Sequence, residues 1–150
     1  GDCFPDESYP ILRNSTGHSI RIAPYTDGRI DSLLLLTIPP GDELNPVRTN
    51  PPNACAHPEE GESLYGSFAE TCLLYDSVVV TFDSIRKSTH KRYNDSLGCA
   101  HCILFDSPRA FSNEANWVTT VISECKSRKV VTKTYTYTYT FSEEDYLNAR

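Results

Sequence analysis

The C-terminal part of the chain alternates strictly between two kinds of residue. Aromatic side chains at positions 135, 137, 139 and 141 alternate with threonines at positions 134, 136, 138 and 140. A period of two is that of a β-strand, in which successive side chains point to opposite faces. Threonine and aromatic residues also favour strands. We therefore expect one face of this strand to be buried against a second sheet.

Further strand-forming segments lie between turn signals along the chain. They are residues 18–25, 30–38, 77–82, 85–93, 117–122 and 129–141. Asp27-Gly28 predicts a hairpin turn between the first two, because glycine tolerates positive φ. Ser142, followed three residues later by Asp145, resembles a helix start and predicts a short helical turn over 143–149.

Six or seven strands with almost no helix predict an all-β fold, namely an antiparallel β-sandwich of general immunoglobulin-like architecture. The chain of 150 residues fits one domain. Residues 1–13, which contain Pro5 and Pro10, are interpreted as a lead-in: a tether or an early edge strand. The domain proper is then 14–150, with a long proline-rich loop at 39–62.

Charge and hydropathy exclude some classes of partner. The net charge of −6 argues against nucleic acid, whose phosphates require a positive protein surface. The sequence contains no apolar run long enough to span a bilayer.

The six cysteines are numerous for a protein of a reducing compartment, so they predict disulfides and an extracytoplasmic location. The sequence does not choose among their pairings. They are Cys3, Cys55, Cys72, Cys99, Cys102 and Cys125.

Three segments resemble recurring segments of small cell-envelope lipoproteins of Bacteroidetes, a family of unknown function. They are residues 76–83 (DSVVVTFD), residues 136–146 (TYTYTFSEEDY) and the Ile38-Pro39-Pro40-Gly41 turn. The resemblance implies an outer-membrane lipoprotein that touches the membrane only through an anchor at Cys3 or at an upstream cysteine. It implies no assigned activity.

The tripeptide Cys-Ala-His occurs twice, at 55–57 and 99–101. Thiolate and imidazole are zinc ligands, so Cys55, His57, Cys99 and His101 are candidate metal ligands if the two loops meet. The spacing differs from a zinc knuckle, and an oxidising compartment favours disulfides instead. Cys99 and Cys102 also form a Cys-x-x-Cys motif, but a redox role requires a βαβ context that the pattern does not show.

No motif for nucleophilic or acid–base catalysis is recognisable, and neither is a phosphate loop, so we predict a non-enzymatic protein without a cofactor. Tyr135, Tyr137 and Tyr139 share one strand face and are candidates for binding a sugar or a protein. The alternative is that these tyrosines pack against the opposite sheet.

Asp-Ser followed by an aliphatic residue occurs four times and is similar to the O-glycan acceptor pattern of Bacteroidetes envelope proteins. The candidate acceptors are Ser32, Ser77, Ser84 and Ser96. The alternative is turn chemistry, in which Asp and Ser satisfy backbone donors where strands begin.

The sequence thus favours an extracytoplasmic, lipid-anchored domain that binds a protein or glycan partner. Two alternatives stay open: a structural spacer domain, and a metal or redox protein built on the two Cys-Ala-His loops.

Overall fold

The computed structural model of the chain describes residue 3 and residues 7–30, 35–45, 76–91, 101–104, 107–110 and 114–150. These residues form nine strands, one short 3-10 helix at Glu114–Asn116 and one α-helix, α1, at Glu143–Asn148. The strands are β1 (Glu7–Asn14), β2 (Ile20–Thr26), β3 (Arg29–Ile30), β4 (Leu36–Ile38), β5 (Glu43–Leu44), β6 (Ser77–Phe82), β7 (Arg86–Lys91), β8 (Trp117–Lys126) and β9 (Val131–Phe141).

The strands form two sheets, which confirms the predicted all-β sandwich. The first sheet has the order β5-β1-β9-β8, and the second has the order β3-β2-β6-β7 with β4 also paired to β2. The core between them includes Ile22, Val80 and Phe82 from the second sheet, and Tyr139 and Phe141 from the first. The immunoglobulin-like arrangement of the strands stays a prediction.

The segment interpreted as a lead-in is part of the first sheet. Residues 7–14 form β1, which pairs in parallel with β9 from Glu7↔Thr134 to Asn14↔Phe141. Pro10 is accommodated because β5 pairs only with Leu12 and Arg13, which leaves β1 without a second described neighbour at Pro10. The tether interpretation of residues 7–13 is therefore wrong. The sandwich is also not wholly antiparallel, because β1 and β9 run in the same direction.

Two hairpin turns contain residues with positive φ. Asp27 and Gly28 have φ of 50° and 75°, as the Asp-Gly signal predicts for the turn between β2 and β3. Asp83 and Ser84, between β6 and β7, have φ of 53° and 60° although neither is glycine. Aspartate tolerates this region better than most residues, because its short side chain bonds to nearby backbone.

The return strand predicted over 30–38 appears as two short strands. Both β3 and β4 pair antiparallel with β2, through Tyr25↔Ile30 and Ile20↔Ile38 respectively. Residues 31–34 between them lie outside the described residues.

Helix α1 begins as the sequence predicts. The Ser142 hydroxyl accepts a hydrogen bond from the Asp145 amide, and the Asp145 carboxylate accepts one from the Ser142 amide. This capping box satisfies two backbone donors that would otherwise have no partner within the helix. Tyr146 and Ala149 then pack against the core, so the helix closes one end of the sandwich.

Candidate functional site

Among the strands of six or more residues in the described structure, β8 has the most exposed residues. It lies at the edge of the first sheet, and the described residues contain no strand on its outer side. Of its ten residues only Trp117 is buried. Its outer edge therefore presents backbone donors and acceptors that another extended segment can use.

The side chains along β8 suit such pairing. The stretch from 117 to 123 carries no charge and is rich in valine, threonine and isoleucine, which favour β structure. Val118 is 63% exposed and Ile122 is 58% exposed. Edge strands usually carry charges that discourage pairing with other chains, and this one does not in its first seven residues.

One irregularity interrupts the β8–β9 pairing. Val121 pairs with Tyr135 and Ser123 with Thr134, so Ile122 is an extra residue in the ladder. A bulge increases the local twist of a strand and often occurs where a sheet edge must be shaped. It separates the uncharged part of β8 from the part that carries Glu124 and Lys126.

The β8–β9 hairpin is linked to the N-terminal segment by a disulfide, and its two strands are held together by an ion pair and a hydrogen bond across the turn. Cys125 forms a disulfide with Cys3, with a Cα–Cα distance of 5.7 Å. Lys133 Nζ lies 3.7 Å from Glu124 Oε1 across the hairpin. The far end is closed by the Ser127 amide, which donates to the Val130 carbonyl at 2.9 Å.

The structure separates the three candidate tyrosines. Tyr139 is 1% exposed, and its hydroxyl donates to the Arg109 carbonyl at 2.8 Å. Burial raises the pKa of Tyr139. Tyr137 is partly buried against the core, and Tyr135 is partly exposed. Tyr139 therefore packs against the opposite sheet, which was the alternative interpretation, and it offers no surface to a ligand.

Only part of the cysteine pattern lies in the described residues. Cys3 and Cys125 pair with each other, and Cys102 is also disulfide-bonded, to a cysteine outside the described residues. Cys55, His57, Cys72 and Cys99 lie outside them as well. His101 is exposed. Within the part of the chain that the structure describes, no group of three metal-ligating side chains comes together.

His18 links the second sheet to helix α1. Its Nδ1 atom is hydrogen-bonded to the Asp83 carboxylate, and its Nε2 atom lies 3.5 Å from Glu143 Oε2. Its ring stacks on Tyr146 with centroids 3.6 Å apart. The hydrogen bond from His18, helped by the Ser19 amide, lowers the pKa of Asp83. Because both ring nitrogens face carboxylates, His18 is suited to holding the β6–β7 turn and helix α1 together, and not to acting as a general base for a nucleophile.

The two described O-glycan candidates differ in accessibility. Ser84 is exposed in the β6–β7 turn, whereas Ser77 is half-buried in β6. The preceding aspartates satisfy backbone donors, as turn chemistry requires: Asp83 accepts from the Ser19 amide and Asp76 from the Asp27 amide, both at 2.9 Å. Ser32 and Ser96 lie outside the described residues, and glycosylation stays a prediction.

Comparisons with protein-family models, with curated proteins and with solved structures found no match to this chain. None of the helices in the described ranges has the length and hydropathy needed to cross a bilayer.

The exposed edge of β8 is not among the sequence-based predictions, which identified the tyrosines of β9 as the binding candidates. The sequence does show one relevant feature: residues 117–123 are rich in β-branched residues and carry no charge. This composition identifies an uncharged strand but not an edge strand, because the order of strands in a sheet depends on pairings between distant segments.

Proposed function

We propose that this chain is a non-enzymatic, extracytoplasmic binding domain whose partner is a protein, recognised by strand addition along the outer edge of β8. The partner supplies an extended, uncharged segment of apolar and hydroxyl residues that continues the first sheet. The observation that carries the proposal is the exposed, uncharged edge from Trp117 to Ser123.

Strand addition draws its affinity from main-chain hydrogen bonds and its specificity from alternate side chains. Among the described residues no strand pairs with the outer edge of β8, and Val118 and Val121 flank that edge on opposite faces as exposed apolar contacts. An uncharged partner matches this edge, because a charge placed opposite it would lose water without gaining an ion pair.

The disulfides support the proposed location. Cys3–Cys125 and the bonded Cys102 persist in an oxidising compartment and are rare where thioredoxin and glutathione keep thiols reduced. A lipid-anchored protein of the bacterial cell envelope fits this requirement, and membrane attachment through an upstream anchor remains part of the proposal.

A protein partner is favoured over a glycan by the position of the tyrosines. Sugar rings stack on exposed aromatic faces, and of the three candidates Tyr139 is in the core while Tyr137 is packed against it. The structural-spacer alternative predicts that β8 binds nothing. The metal alternative requires free thiols at Cys55 and Cys99, which lie outside the described residues, while the described cysteines are in disulfides.

The test is selection of short random peptides displayed on phage against the intact, disulfide-bonded chain. Peptides that add to the sheet will shift the NMR signals of backbone amides in β8. In the variant carrying Val118→Lys and Ile122→Lys, the affinity for the selected peptides should fall at least about tenfold, which is about 1.4 kcal/mol. Fluorescence anisotropy measures this affinity.

The matched controls are Ile85→Lys, in the β6–β7 turn, and Leu147→Lys, on α1. Both residues are exposed and apolar, at 77% and 66%, and neither lies on β8. The controls should bind the peptides like the original chain. Selection of no peptide, or amide shifts confined to other strands, would reject strand addition. A dimer that disappears in the β8 variant would make a second copy of the chain the occupant instead.

A further inference from the structure

The end of the β8–β9 hairpin differs chemically from the remainder of the chain. Residues 122–133 contain four basic residues and one acidic residue, a net charge of +3 in a chain of net charge −6. Glu124, the acidic one, is already paired with Lys133. Three exposed cations, Lys126, Arg128 and Lys129, remain for an external anion.

Two exposed valines adjoin these cations. Val130 and Val131 are 53% and 52% exposed, and they directly follow Lys129. The hairpin end is held in place by the Ser127–Val130 hydrogen bond and, at its base, by the Cys3–Cys125 disulfide. Cations and aliphatic side chains are therefore presented together on a closed, solvent-exposed turn.

We propose that this hairpin end, defined by Lys126, Arg128, Lys129, Val130 and Val131, is a contact site for an anionic lipid surface. Lysine and arginine pair with lipid phosphates, while adjacent aliphatic side chains enter the boundary between head groups and acyl chains.

The adjacency of cations and valines at the hairpin end favours lipid over a protein partner. An anionic lipid surface offers phosphates directly beside an apolar layer, which matches exposed cations next to exposed Val130 and Val131. The negative charge elsewhere on the chain is repelled by such a surface, which orients the domain with this end towards it. The inference goes beyond the proposed function and uses residues beyond the uncharged part of β8.

The test is sedimentation of the intact chain with vesicles of phosphatidylcholine alone or mixed with phosphatidylglycerol. We expect binding to the mixed vesicles only, weakening as salt is raised. The variant Lys126→Gln, Arg128→Gln and Lys129→Gln should bind about 100-fold more weakly, at about fivefold per cation. The charge-matched control replaces three exposed cations outside this hairpin, as Arg21→Gln, Arg29→Gln and Lys87→Gln, and it should bind like the original chain.

A second variant reports insertion directly. In Val130→Trp, the tryptophan emission should move to shorter wavelength when phosphatidylglycerol vesicles are added. The original chain, whose one tryptophan is the buried Trp117, should show no such change with the same vesicles. Absence of vesicle binding, or equal binding by the hairpin and control variants, would overturn the proposal. If the chain bound soluble polyglutamate while Val130→Trp showed no emission shift on vesicles, the lipid proposal would be overturned and an acidic protein would be the partner. Val118→Lys with Ile122→Lys adds two cations and should retain or strengthen vesicle binding while it weakens peptide binding, which separates this proposal from strand addition.

Discussion

Arg109 and Asp145 are joined by two parallel hydrogen bonds, from Nε to Oδ1 at 2.8 Å and from Nη2 to Oδ2 at 2.7 Å. Burial is the largest single influence on the pKa of Arg109 and lowers it, but the hydrogen bond to Asp145 and the charge interactions with Tyr139, Asp145 and Glu144 together outweigh burial, so the pKa is raised. The same Asp145 carboxylate accepts from the Ser142 amide in the capping box. One carboxylate thus fixes both the loop around Arg109 and the start of α1.

Replacing Arg109 by glutamine should lower the free energy of unfolding by about 2 kcal/mol. Breaking a buried ion pair costs about 3–5 kcal/mol, and we reduce this value because the Arg109 side chain is 39% exposed and solvent screens the pair. Urea denaturation measures the loss. Arg21→Gln, at an exposed position of β2, is the control and should change stability by less than about 0.5 kcal/mol. Equal losses in both variants would contradict the role of the pair.

His90 makes the stability of the fold depend on pH. Its side chain is buried beside Tyr139, and burial lowers its pKa to about 3. The unfolded chain binds a proton at this residue near pH 6.5, whereas the folded chain does not until about pH 3. The stability from neutral His90 is therefore fully present above pH 6.5 and is lost as the pH falls from there towards 3.

Between pH 7 and pH 5 we expect His90 to account for a loss of about 2 kcal/mol, at about 1.4 kcal/mol per pKa unit. In His90→Leu this part of the pH dependence should vanish, while His101→Gln, at an exposed position, should retain it. Urea denaturation of the three proteins at both pH values checks this. An unchanged pH profile in His90→Leu would show that other groups cause the acid sensitivity.

Local patterns predicted much of the fold, for reasons visible in particular strands. Residues 77–82 form β6 as predicted, because the apolar side chains of Val78, Val80 and Phe82 alternate on one face. The strand predicted from 129 begins at Val131, and the one predicted to end at 122 continues to Lys126. The ends of β8 and β9 depend on the position of the turn between them, and the strand propensity of single residues does not define that position.

What the sequence did not reveal depends on contacts between distant segments. Strand β1 contains a proline and few apolar residues, and it becomes a strand through its parallel pairing with β9. The contacts among His18, Asp83 and Glu143 join the connection between β1 and β2, the β6–β7 turn and helix α1. Strand β9 was predicted from its alternation, but whether it was an edge stayed open. It lies between β1 and β8, so the exposed edge belongs to β8.

Asn14 is a buried polar residue on which a turn depends. Its Nδ2 atom lies 2.6, 3.0 and 3.2 Å from the carbonyl oxygens of His18, Ile38 and Pro39, and its Oδ1 atom accepts from Thr16. Asn14→Asp would place a carboxylate against three carbonyl oxygens, so we expect a loss of about 3 kcal/mol or more.

The control for this change is Asn148→Asp, at an exposed position near the end of α1. It should cost well under 1 kcal/mol. Thermal and urea denaturation at pH 7 measure both variants. A small effect at Asn14 would mean that the surrounding backbone relaxes to admit water, and amide exchange at Thr16 would then be faster than in the original chain.

The Cys3–Cys125 disulfide should contribute more to stability than either cysteine's local packing. It links positions separated by 122 residues, and a cross-link over so long a segment restricts the unfolded chain strongly, with a typical contribution of about 2–4 kcal/mol. Replacing both cysteines by serine should lower the free energy of unfolding by that amount. It should also accelerate amide exchange in residues 121–126 of β8, because the hairpin loses its covalent link to Cys3.

Peptide mapping without reductant on the original chain is the control, and it should recover Cys3 and Cys125 in one linked fragment. If the double variant kept both the stability and the slow exchange, the hairpin would be held by its pairing with β9 alone. The lipid-contact proposal would then have to rest on the hairpin hydrogen bonds and the Lys133–Glu124 pair, without the disulfide as its support.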